Sequence, residues 1–175
     1  MRYTSFLLAL VIFTGGALTR ILVDEPLFTL GNNYSYDVSR HSKDIHDIFW
    51  FILGNNLKLN LIIILSSLLL GLPVLIYLFS NGFLLCDFIA ANVDSMGMFK
   101  ILVLIVPHGL IEVMTLLFAA SISFDIAYSM YKYFANGEKI AKVFWGRIFR
   151  NIILVILLTS VAALIETYVT IGLIL

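Results

Sequence analysis

The 175-residue chain is 61% hydrophobic and 13% charged, with a mean hydropathy of +1.03, which excludes an ordinary soluble domain. Eleven Lys and Arg balance eleven Asp and Glu, so nothing in the charge points to nucleic acid as a partner. The lone Cys86 cannot form an intramolecular disulfide and reads as a small apolar packing residue.

Arg2 leads into an apolar run over residues 5–23. It is similar to a signal peptide, but Leu18-Thr19-Arg20 after Gly15-Gly16-Ala17 gives no good cleavage site, so an uncleaved first span is expected. Arg20 near its far end is expected to snorkel to the headgroups. An acidic outer loop follows over residues 24–50, where Asp24, Glu25, Asp37, Asp44 and Asp47 outweigh Arg40 and Lys43. Within Ser39–Leu53, the spacing of Ile45, Ile48, Phe49, Trp50 and Ile52 predicts an amphipathic helix lying in the interface. His41, Asp44, His46 and Asp47 match no strong metal-ligand spacing and read as a solvated face.

The block from Leu57 to Val93 would be about 55 Å long as one helix, almost twice the hydrocarbon core of about 30 Å. It must break, and Gly71-Leu72-Pro73 is the best place, giving spans 57–72 and 74–93. A longer span covers 100–130, with Pro107 as a source of kinking. The inner loop 131–151 sets Lys132, Lys139, Lys142, Arg147 and Arg150 against Glu138 alone. With Phe144, Trp145 and Phe149 it reads as a surface-lying helix on an anionic leaflet, or as a dock for a cytoplasmic partner. A last span covers 152–174. The expected fold is a single all-α integral membrane domain over residues 1–175, a bundle of about five transmembrane helices plus interfacial amphipathic helices. The positive-inside rule then puts the amino end in the cytoplasm with the basic loop.

Charged groups within lipid cost about 2.5–3.5 kcal/mol each on insertion scales, so they normally face protein or a water-filled cavity. His108 and Glu112, spaced i, i+4 in Pro107-His108-Gly109-Leu110-Ile111-Glu112, share one helix face. Counting depth along each span brings Asn81, Asp87, His108, Glu112 and Glu166 to one level as an intramembrane polar belt. Gly82, Pro107 and Gly109 shape the backbone beside it, and Asp125 falls near the cytoplasmic surface, solvated. Such a belt can be interhelical glue, a proton relay or substrate-contacting cavity, or an enzyme centre. HExxH and GxSxG are both missing, and one His-xxx-Glu pair supplies too few metal ligands. The expectation is therefore a protein without catalytic residues, bound metal or cofactor.

Asn55-Asn56, Asn81-Gly82, Pro107-His108-Gly109-x-x-Glu112 and Ala162-x-x-x-Glu166-x-x-Val169-Thr170 together resemble the stage II sporulation protein M family, over roughly Trp50 to Thr170. The departures are Cys86, where the family often has glycine, and Ile171, where it usually has proline after the threonine. The resemblance implies a non-enzymatic multi-pass protein of the bacterial plasma membrane, a subunit of an envelope complex. One branch implies export of, or self-immunity to, a circular bacteriocin beside an ABC-type ATPase. Another implies a septal scaffold for peptidoglycan-remodelling proteins. The compact length and basic inner loop favour the first. A proton-coupled carrier is a further alternative. The expected partners are the lipid bilayer and other membrane or cytoplasmic subunits, with homo-oligomerisation open.

Overall fold

The computed structural model describes residues 2–23 and 44–170, and these form helices and short connections without strands. Helix α1 spans Tyr3–Leu22 and α2 spans Ile45–Leu65, continued by a 3-10 turn over Ser66–Leu69. Helix α3 spans Leu72–Met96, α4 spans Met98–Asn136, and α5 spans Lys142–Ile165, continued by a π-helical turn over Glu166–Thr170. Each of the five is long and apolar enough to cross a membrane. This is an all-α integral membrane fold.

The expected break falls where glycine and proline allow it. Leu70 and Gly71 both take left-handed backbone angles, φ 54° and 76°, and Pro73 sits in the first turn of α3, where a missing N–H costs nothing. Gly97, at φ 79°, turns α3 directly into α4. At 39 residues α4 is about 58 Å long, so its ends outrun the hydrocarbon core.

Helix α4 is the axis of the bundle and touches the other four. From Thr115 to Ala127 nearly every side chain is buried, as expected of a helix with neighbours all round. Ala119, Ala120, Ser121, Ser123 and Ala127 keep that stretch thin, so adjacent backbones approach closely. Helix α1 packs most extensively on α3, through Ser5, Ala9, Phe13, Gly16 and Arg20 on one stripe. The main core joins Ala9, Phe13, Ile63, Val74, Leu78, Leu117, Ile122, Ile148 and Val155 from all five helices.

Two boundaries differ from the sequence reading. The stretch expected as an interfacial helix, from Ile45 to Leu53, is the opening of α2 and continuous with its span; residues 24–43 lie outside the described ones. Its apolar stripe, with Ile48, Phe49, Ile52 and Leu53, packs against Ala163 of α5. Likewise 131–151 is not a separate surface helix. Helix α4 runs on to Asn136, Gly137 ends it at φ 69°, and α5 begins at Lys142 after a short connection. Buried Ile148 and Val155, two turns apart, carry one packed face from that basic segment into the span.

Candidate intramembrane site

Helix α4 stays helical through Pro107 and holds His108 and Glu112 one turn apart. The third group comes from α5. At Glu166 its winding loosens into the π turn, which buries Glu166, Thr167 and Thr170 together. One side-chain donor atom from each of His108, Glu112 and Glu166 lies within 4.8 Å of the other two. Around them a network fixes orientation. Nδ1 of His108 is 3.0 Å from the Thr170 hydroxyl. The Asn56 amide on α2 donates to Glu112 Oε1. One turn deeper, Asn60 donates to the Thr159 hydroxyl at 3.0 Å, tying α2 to α5.

These groups face a cavity of about 530 Å³, large enough for several waters or a small ligand. Its polar walls are Asn56, Asn60, Asn81, Thr115, His108, Glu112 and Glu166; the rest are apolar, among them Phe13, Leu84 and Phe88. No lysine or arginine is among the described lining residues, so two carboxylates share the space with one imidazole.

The remaining belt residues divide. Asn81 lines the cavity but spends its amide on the Tyr77 carbonyl of its own helix, at 2.7 Å. Asp87 does not join; it is paired with Arg20 Nε of α1, and both side chains are buried. Arg20 therefore does not snorkel to the surface, and it also donates through Nη1 to the Val23 carbonyl at 2.9 Å. The reason is how closely α1 and α3 cross. A Cβ on Gly16 would sit 2.0 Å from the Phe79 carbonyl oxygen, and one on Gly82 would sit 2.0 Å from that of Phe13. Backbone against backbone leaves Arg20 facing α3. Gly82 thus acts by its lack of a side chain, and Gly16 is its unforeseen counterpart.

Asp125 corrects another expectation. Instead of being solvated it is 1% exposed, accepting from the Ser5 hydroxyl at 2.6 Å and the Arg2 backbone N–H at 3.0 Å. The Arg2 guanidinium lies 4.0 Å over the Tyr128 ring beside it, which pins the start of α1 to α4. Asn56 and Thr170, which the sequence reading did not assign to the belt, are the residues that orient Glu112 and His108. Their signal in the sequence is their place in the motifs that carry the resemblance. His41 lies outside the described residues; Asp44 caps α2 by accepting from the His46 N–H at 3.0 Å.

At the opposite end, Lys132 is engaged by Glu138 at 2.9 Å. That hydrogen bond, helped by one from Asn136, holds the exposed Glu138 carboxyl below the usual carboxylate range. Lys139, Lys142 and Arg150 are exposed, while Arg147 is half-buried, 5.7 Å from the Phe144 ring centre.

No solved structure matches the chain. An uncharacterized protein of Methanocaldococcus jannaschii is 31% identical over 169 residues, covering 86% of this chain and 93% of the relative. The family model for stage II sporulation protein M matches residues 4–171, a range that takes in all five helices and the His108–Glu112–Glu166 cluster, and the chain belongs to that family.

Proposed function

We propose that the protein is a non-enzymatic subunit of an envelope complex in the bacterial plasma membrane, exporting a peptide or protecting against one. Its amino end is cytoplasmic, and an ATP-binding partner docks on the basic end of the bundle. The observation that supports this is the make-up of that end. The ends of α4 and α5 and the connection 137–141 carry Lys139, Lys142 and Arg150 exposed, beside exposed Val143, Trp145 and Phe149. The nearest acid, Glu138, is already occupied by Lys132. The exposed Arg150 and aromatic rings are of the kinds that dominate the energetics of protein-contact surfaces, and the exposed lysines beside them suit an acidic partner.

The alternating course of the helices supports the orientation. Tyr168 at the end of α5 reaches His46 at the start of α2, at 3.3 Å, and Arg20 at the end of α1 meets Asp87 in α3. Arg2, at the other end of α1, meets Asp125 and Tyr128 in the later half of α4. The amino end therefore lies on the side of the basic rim, which the positive-inside rule places in the cytoplasm.

The test is co-purification of a co-expressed ATP-binding subunit with the wild type and with the triple variant Lys139→Glu, Lys142→Glu and Arg150→Glu. Recovery of the ATPase should fall at least about tenfold, since like charges brought together across an interface cost several kcal/mol. Equal recovery from both would remove the docking role.

A further inference from the structure

We propose that His108, Glu112 and Glu166 bind a divalent first-row transition ion, with zinc as the reference occupant, across the interface between α4 and α5. The donor set is one imidazole and two carboxylates, a combination such ions accept. The two residues of α4 are spaced i, i+4, which puts two ligands on one helical face. Glu166 arrives from the π turn of α5, so the three donor atoms come from both helices and converge within 4.8 Å. Tetrahedral ligands about 2.0–2.2 Å from zinc stand about 3.4 Å apart, so closing on the ion needs only side-chain rotation of about 1 Å.

Three further observations point to a cation. The first is charge. Both carboxylates face the same cavity, where one divalent ion would stabilise the two at once. The second is support. His108 uses Nδ1 on Thr170, which leaves Nε2 for the metal, and Glu112 is steadied by Asn56. Metal-ligating imidazoles and carboxylates are normally held in this way. The third is space. Three protein ligands beside the cavity leave a fourth position for water or an anionic ligand, the pattern of open rather than closed zinc sites. The competing account is a cluster neutralised by protons alone. It needs the same residues but no ion.

The two accounts part on metal stoichiometry. Full-length protein purified in detergent, stripped with chelator and titrated with zinc should retain about one ion per chain after desalting, read by elemental mass spectrometry. Cobalt loading should give visible ligand-field bands, reporting a low-coordinate site. His108→Ala and Glu166→Gln should each weaken zinc binding at least about tenfold, and Thr170→Val, which alters only the support of the imidazole, by about tenfold. Gly15→Ala, on α1 with nothing within 4 Å of the new methyl, should bind as wild type. Wild-type protein retaining less than about a tenth of an ion per chain and showing no cobalt bands would overturn the proposal, as would undiminished binding in His108→Ala and Glu166→Gln. The wild-type measurements decide even if a variant fails to fold. They are also independent of ATPase docking.

Discussion

Asp87 and Glu166 are carboxylates buried to similar degrees, 4% and 8% exposed, yet their surroundings are opposite. Asp87 is matched by a guanidinium, delivered by a helix crossing so close that Gly16 and Gly82 each meet the backbone of the other helix. Glu166 lies beside a second carboxylate and an imidazole, with amides and hydroxyls around them and an open cavity in front. An acid whose counter-charge comes with the fold is finished as a structural element. Two acids and an imidazole gathered at one cavity are instead the arrangement on which the proposed ion site rests.

The sharpest way to break this contrast is to remove counter-charges. Arg20→Leu should destabilise the protein by about 3–5 kcal/mol, because it strands a buried carboxylate, and adding Asp87→Leu should restore most of the loss. Glu166→Gln, measured with chelator present, should change stability by no more than about 1 kcal/mol, since the amide keeps the side chain's size and its capacity to hydrogen-bond. Unfolding in mixed detergent micelles measures all three, and a large loss for Glu166→Gln would erase the distinction.

A smaller effect sharpens the same comparison by moving helices rather than charges. Gly82→Ala places a methyl against the Phe13 carbonyl and should cost about 1–3 kcal/mol as α1 and α3 are forced apart. Gly15→Ala, whose new methyl meets nothing within 4 Å, should stay within about 1 kcal/mol of wild type. Neither should alter zinc retention, because the three donors belong to α4 and α5.

The smallest effect belongs to the exposed pair of Lys132 and Glu138. With the Glu138 carboxyl held below its ordinary range, the contribution is present above the unfolded carboxylate pKa and fades as pH falls through the lowered one. At neutral pH Glu138→Gln should leave the melting midpoint unchanged within error, as solvent screens an ion pair at the surface.

How much of this was legible depends on what a residue's neighbours in sequence can reveal. His108, Glu112 and Glu166 stand out because polar groups in an apolar run must face protein or water, and a depth count along each helix brings them level. Asp87 passes the same count and still lies elsewhere, because depth does not give azimuth. Arg20 resembles any arginine near a span end; only the close crossing of α1 and α3 at Gly16 and Gly82 turns it inward. Asp125 looks solvated until its partners appear, 120 and 123 residues away at Ser5 and Arg2. The amphipathic stripes at 45–53 and 142–151 are real, but a 3.6-residue period cannot say whether a neighbouring helix or a headgroup meets the apolar side.

The Arg20–Asp87 pair also constrains biogenesis. The arginine emerges 67 residues before the aspartate that neutralises it, and an arginine at the centre of a span costs about 2.5–3.5 kcal/mol on leaving the translocon. Its position near the end of α1 lets it wait at the headgroups while the chain lengthens, then swing inward when α3 docks. The expected order is that the first helix inserts early and locks against α3 only once Asp87 has been made.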